Sequence, residues 1–502
     1  DYIYLTIPEA DLKKLVVPHK TVHDNIRKFY ANPKNLGTKT EVSASYFASN
    51  GVTVNMIDEA IKVYEEFRRA NDPVVNYMVK EFNMRKAADE TRKAATARTG
   101  DLDLTKLASY KFSDNLFKKV MVMPTGKNHG LVMFIDWSGS MSSMMGNMIE
   151  QLITLVSFCR KVNIPFEVYG FGAECNDSVQ EDTFNYKEND ISLESNFHLR
   201  QYFGSGMSAN AFNQACVNLM ALALAFSGGW RGSGVNGYRY TAHLPAGEGL
   251  GGTPLTETIV ASYPIMKEFK EKNALQFIHM VILTDGDGNG CGGYRTKDPY
   301  GKLYRSTRHF NYNKQEVYIL RDPVTKKDYR LDDVLANYGH DAMTGLIMTV
   351  IKARLGMNVI GFYIIPAGDR ANIVSTAMGK MGDVPAAAPR RIRGGYGRNR
   401  RYLGGASKTV ANQISKSETQ LAMEKQFDEE RYVSISVGGF DEYFIISGDS
   451  KTGKVQTGTL NINPNSSTKK ITDAFIKQNQ TTLKSRTLMG RFISLIAKGK
   501  EK

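Results

Sequence analysis

From Leu131 to Ile135 the chain reads LVMFI and then meets a carboxylate, Asp136. A continuous apolar run of this kind is the pattern of a strand buried on both faces. The spacing turns helical in SMMGNMIEQLITLVSFCRKV (143–162) and returns to strand type in FEVYGFG from Phe166. Two further helices are predicted over 209–227 and 253–272. Two further strands are predicted in FIHMVILTDG from Phe277 and MNVIGFYIIP from Met357. Alternating strands and helices with apolar strands predict an α/β fold, a doubly wound and mostly parallel sheet covered on both faces.

The first part of the chain has a different rhythm. TVHDNIRKFYANP and NMIDEAIKVYEEFRRA carry apolar residues at helical spacing, with a turn at Asn50 and Gly51 between them. A third helix is predicted to start at Pro73, because proline suits a first turn. A turn at Gly100 and a short helix over 103–109 follow. The expected organisation is a helical N-terminal region, 1–125, and an α/β domain, 126–502. That domain carries insertions at 171–250, 286–340 and 385–405. A hairpin is predicted in VYILRDPVTKKDYRL, two strands in RYVSISVGGFDEYFIIS, and a basic helical end from Thr468.

Composition narrows the class. The chain has 502 residues, 42% hydrophobic and 23% charged, which is ordinary for a globular protein. No apolar run reaches the ~18 residues of a membrane helix. The opening DYIYLTIPEADLKK lacks the basic and apolar regions of a signal peptide, and Asp1 leads us to expect a start upstream. The four cysteines, Cys159, Cys175, Cys216 and Cys291, form no CxxC pair and fit a reducing cytosol, each read as a small buried hydrophobe. The eight histidines include no HExxH. A net charge of +14 is compatible with an acidic partner, a nucleic acid or solubility alone.

Candidate chemistry gathers at strand ends. Asp136 closes LVMFI, and Ser138 and Ser140 follow in DWSGSM. In an open parallel sheet, ligands bind beyond the carboxyl ends of the strands. GLGGTPLTET offers Thr253 in a glycine-rich loop, and VILTDGDGNG offers Asp285 at another strand end. Together these are five oxygen-bearing side chains from three loops, the donor type that hard cations such as Mg²⁺ take. The competing reading makes Ser138 and Ser140 a helix N-cap and turn.

DWSGSM, GGTPL and ILTDG, in this order, resemble the metal-ion-dependent adhesion site of von Willebrand factor A domains. The resemblance implies that fold, with its Rossmann-like sheet. It also implies that Asp136, Ser138, Ser140 and Thr253 approach Mg²⁺, or another divalent cation such as Mn²⁺ or Ca²⁺, directly or through water. Asp285 would act through water, and an acidic residue of a partner would take the open position. Asp287 is either a further ligand or part of an Asp-Gly turn, and the turn is favoured.

Residues 83–120, with RKAA on a helix and then TGDLDLTKL, are similar to the segment before the A domain in the A-domain subunit of aerobic cobaltochelatase, including versions from large bacteriophages. This similarity implies a MoxR-like AAA+ ATPase partner and a cytoplasmic setting in a bacterial cell or phage-infected host. The chain has no GxxxxGK[ST], so ATP hydrolysis would belong to the partner. No Ser/His/Asp or Cys/His motif stands in a telling context. The expectation is a protein without catalysis of its own, or a non-ATPase subunit of a chelatase-like complex, with no membrane involved.

Another reading starts from PRRIRGGYGRNRRY. Arg390, Arg391, Arg393, Arg398, Arg400 and Arg401 are interleaved with Tyr396 and Tyr402, without an acid. Arginine neutralises phosphate and tyrosine stacks on bases, so this loop suits nucleic acid or an acidic partner surface. The plainer alternative is a solvated loop. A phage structural protein is a further alternative.

Overall fold

The computed structural model describes residues 2–41, 51–93, 95–102, 117–122, 128–173, 183–193, 197–227, 238–284, 288, 293–305, 317–331, 340–365, 370–380, 418–430, 432–435 and 439–447. The chain is mixed α/β around one large sheet of eight strands. In chain order these are β1 (Val16–Val17), β2 (His129–Asp136), β3 (Phe166–Ala173), β4 (Phe197–Gly204), β5 (Phe277–Thr284), β6 (Asn358–Ile365), β7 (Tyr432–Ile435) and β8 (Glu442–Ser447).

The spatial order is β7-β8-β6-β5-β2-β3-β4-β1. The run from β8 to β3 is parallel throughout. β4 lies antiparallel to β3, β7 antiparallel to β8, and β1 parallel to β4. From β2 the chain builds first toward β3 and β4, then returns to build β5, β6 and β8 on the other side. The order therefore reverses between β2 and β5. Such a switch point opens a crevice beyond the carboxyl ends of its strands.

Period-two alternation explains how β2 is covered on both faces. Leu131, Met133 and Ile135 join one core with helices α1 (His19–Ala31), α2 (Met56–Lys93), α3 (Met145–Lys161) and α4 (Ala209–Phe226). Val132 and Phe134 join the opposite core with α5 (Leu255–Lys272) and α6 (His340–Leu355). Helices α7 (Arg370–Lys380) and α8 (Glu418–Glu430) pack on Val433, Ile435, Tyr443 and Ile445 at the sheet edge. α4 is long and apolar enough to cross a membrane, but 67% of it is buried inside this fold, as befits a core helix.

The predicted strands and helices of this core are present within one to three residues at most ends, as are the hairpin Val317–Asp322/Lys327–Arg330 and the antiparallel pair β7 and β8. Several elements differ from expectation. The helices predicted on either side of Pro73 are one helix of 38 residues, with Pro73 inside it. An interior proline removes one hydrogen bond and strains the preceding turn. Burial of Val63 and Tyr64 before it, and of Val75, Met78 and Phe82 after it, in one core keeps the helix continuous. α2 is also tied to α3. Thr154 Oγ1 donates to Asn71 Oδ1 at 3.1 Å, Lys161 Nζ reaches Asn76 Oδ1 at 2.9 Å, and Phe82 meets Phe158 edge-on.

The N-terminal region is not purely helical. Tyr2–Leu5 pairs in parallel with Val317–Asp322, Gly37–Glu41 pairs with Val52–Val54 and Tyr238–Thr241, and Ala95–Leu102 pairs with Phe117–Val122. Within 171–250, β4 and α4 belong to the central core. Bridges Thr6–Asp190 and Ile191–Tyr294 knit the N-terminal strand to the chain after β3 and the chain after β5. Cys159 and Cys216 are buried and free. The predicted helix at 103–109, the basic loop at 385–405, the basic end, Cys175 and Cys291 lie outside the described residues.

Candidate metal centre

β2 delivers Asp136 to its carboxyl end at the switch point, with no exposed surface. An ionised carboxylate buried so deeply needs hydrogen bonds or a cation to replace water. Thr284, the last residue of β5, supplies one bond: its Oγ1 donates to Asp136 Oδ2 at 2.6 Å. That contact joins the ends of the two strands that flank the switch point.

After Asp136 the chain makes a short 3-10 turn, Gly139–Ser143. Ser138 sits at the N-cap position but makes no capping bond through its side chain. Its Oγ lies instead 3.0 Å from Ser140 Oγ. The local capping reading of Ser138 therefore does not describe its hydroxyl. Ser138 is buried and Ser140 exposed, so the pair runs from Asp136 outward to the surface.

The glycine-rich loop is brought to this turn by backbone pairing. Gly139 N donates to Gly251 O at 3.0 Å, and Gly251 N to Trp137 O at 3.3 Å. Gly252 and Ala173, at the end of β3, exchange two bonds of 3.1 and 3.3 Å. Thr253 is the next residue, buried, just before α5. Glycines in β3 make room for this arrangement: a Cβ at Gly172 would lie 3.0 Å from Trp137 O. Close backbone approach is a standard reason for glycine within a strand.

The loop after β5 reaches the same edge. Gly288 lies against Leu255, two residues beyond Thr253, where a Cβ would come within 2.8 Å of Leu255 Cβ. Asp285 and Asp287, within that loop, lie outside the described residues, as do the six arginines and two tyrosines of the basic loop. The described part thus places Asp136 at the end of β2, and Ser138, Ser140 and Thr253 on two segments joined by backbone bonds. Among the described residues no group of three or more His, Cys, Asp or Glu side chains is placed to hold a metal. A cation here would rest on hydroxyls and a buried carboxylate, which suits a hard ion and not zinc.

Sequence reasoning missed Thr284, although it stands directly before Asp285 in ILTDG. It also missed Trp137, whose indole N–H donates to Glu248 O at 3.1 Å. The signal available for both was adjacency to the motif residues.

No family model matches this chain, and no curated protein matches it. Among solved structures it is similar to the pilus adhesin SpaC from Lactobacillus rhamnosus GG in an open conformation, at 14% identity over 50% of this chain, with a TM-score of 0.26. The chain spans about a quarter of that adhesin, 26% of its length. A likeness this slight carries no argument about fold or function.

Proposed function

We propose that this chain is an A-domain-type, metal-dependent protein-binding subunit. Asp136, Ser138, Ser140 and Thr253 would hold Mg²⁺, with Asp285 acting through water. The observation that supports this reading is the backbone pairing of the glycine loop at the switch point, Gly251 with the Trp137–Gly139 turn and Gly252 with Ala173 at the end of β3. On this reading it brings Thr253 toward the turn that carries Ser138 and Ser140, next in the chain to the buried Asp136. Charge argues in the same direction. With Asp136 the one carboxylate among the direct donors, a divalent ion there keeps excess positive charge, and an acidic side chain from a partner neutralises it.

The role that follows is recruitment. The metal captures a partner carboxylate, and a MoxR-like AAA+ ATPase supplies the work on a bound target. That partner rests on the resemblance of residues 83–120 and of the three motifs. The rival reading, nucleic-acid binding, rests on the Arg390–Tyr402 stretch.

The test is a pull-down from the native host with Mg²⁺ or with EDTA, using wild type and Asp136→Ala. An ATPase retained by wild type only with Mg²⁺, and lost in Asp136→Ala while the fold persists, is the expected result. Equal retention by the variant sinks the reading. Nucleic acid retained under both conditions favours the rival.

A further inference from the structure

Behind the metal turn lies a buried polar cluster that the proposed donors do not include. Glu248 precedes the glycine loop and is 3% exposed. Its carboxylate accepts from Tyr202 Oη at 2.6 Å and faces Arg200 Nε at 3.6 Å. Its backbone carbonyl accepts the Trp137 indole N–H. Tyr202 is fully buried and Arg200 nearly so, both on β4. The Trp137 and Tyr202 rings lie 4.8 Å apart, centre to centre.

Local backbone features serve this cluster. β4 slips its register between Gln201 and Phe203, so Tyr202 is the extra residue of a bulge. Bulges re-aim side chains, often beside functional sites. Gly170 on β3 leaves the space that the Tyr202 ring fills. Gly247 has φ +89° and lies against the Arg200 guanidinium, where a Cβ would meet Nη2 at 2.5 Å. Two glycines, a bulge and a buried ion pair thus converge on one glutamate.

Glu248 stands three residues before Gly251, which pairs with Trp137 and Gly139. Its main chain holds the tryptophan that separates Asp136 from Ser138. Its side chain is anchored to the sheet through Tyr202 and Arg200. We infer that Glu248 is a positioning residue that clamps the Thr253 loop onto the Asp136–Ser140 turn, and so sets the geometry and affinity of the metal centre. The metal part of this inference rests on the function proposed above, whereas the clamp rests on the contacts just described.

A buried ion pair broken at one partner leaves an uncompensated charge, so Glu248→Gln weakens the loop's anchor on the sheet at Arg200. Residues that orient metal ligands typically change affinity by about 10-fold to 100-fold when altered. The experiment uses the full chain with Trp230→Phe, which leaves Trp137 as the single tryptophan of the two in the sequence. Mg²⁺ affinity is read by titration calorimetry, Trp137 emission by fluorescence, and amide exchange at Gly139, Gly251 and Gly252 by NMR or mass spectrometry.

The clamp predicts about 10-fold weaker Mg²⁺ binding in Glu248→Gln. It also predicts shifted Trp137 emission and faster exchange at those three glycines, with exchange in the middle of β5 unchanged. Unaltered affinity and exchange in a folded variant overturn the inference. A uniform rise in exchange across β5 also overturns it, because that marks a structural role alone. If Glu248→Gln does not fold, Tyr202→Phe removes the phenol bond and is judged by the same outcomes. If wild type binds no Mg²⁺, the proposed function fails. The clamp then stands or falls on glycine exchange and Trp137 emission.

Discussion

Thr284 and Asp136 are 148 residues apart in the chain, and the threonine Oγ1 donates to the aspartate Oδ2 at 2.6 Å. The bond fixes which carboxylate oxygen faces β5. Thr284→Val keeps the shape and removes the donor. It is expected to weaken Mg²⁺ binding about 10-fold or more and to cost about 1–3 kcal/mol of stability. Thr284→Ser should restore both. Calorimetric titration and urea unfolding check this, and normal Mg²⁺ affinity in Thr284→Val refutes it.

Gly247→Ala meets two obstacles. Its φ of +89° suits glycine, and the new Cβ would collide with Arg200 Nη2. Residues forced into such backbone regions cost about 1–3 kcal/mol. Urea unfolding should show a loss of that size. A change below about 0.5 kcal/mol, the scatter of neutral surface substitutions, would show that the loop relaxes freely.

Acid should destabilise the fold through two buried histidines. His23 donates through Nε2 to Tyr202 O at 2.7 Å, and burial lowers its pKa to about 4. Burial likewise lowers His279 to about 4, with His129 adding to the effect. His129 Nδ1 lies 3.0 Å from His279 Nε2, with ring centres 5.3 Å apart and planes 13° from parallel. Those values describe rings set nearly end to end, sharing one proton between two nitrogens. The unfolded histidines protonate near pH 6.5, so between pH 6.5 and 4 the unfolded chain binds more protons. Stability falls as pH drops through that window, by about 1.4 kcal/mol per pH unit for each histidine. Unfolding midpoints of wild type and His279→Gln across that range test it, and the variant should show the shallower slope.

Glu150 on α3 behaves in the opposite sense. Burial raises its carboxyl to about 7. The folded state holds the proton that the unfolded chain releases near pH 4.5. The stability associated with Glu150 is complete below pH 4.5 and is lost as pH rises through 7. Glu150→Gln should therefore be more stable than wild type at pH 8 and close to it at pH 4. Thermal melts at the two pH values decide the matter, and an equal difference at both refutes the assignment.

The central sheet was legible because β2, β5 and β6 are buried on both faces and write themselves as apolar runs. β4 was not, since FHLRQYFG interrupts its apolar residues with His198, Arg200 and Gln201. Arg200 is tolerated inside because Glu248 answers its charge, a partner that no local pattern shows. Pro73 reads locally as a helix start, and only the shared core of α2 shows that it is not one. The motif order named Asp136, Ser138, Ser140 and Thr253, since loop residues at strand ends leave a short-range signature. Thr284 and Glu248 act across the sheet, and such contacts depend on register rather than spacing.

α2, with 38 residues, is more than twice as long as α3, with 17. At 1.5 Å per residue it is a rod of about 57 Å. α3 begins just after the serine turn and is gripped along its second half by Asn71, Asn76 and Phe82. The long helix is thus a splint on the short one. The grip runs from Thr154 to Lys161, so α3 leans on the rod over the half that lies farther from the serine turn.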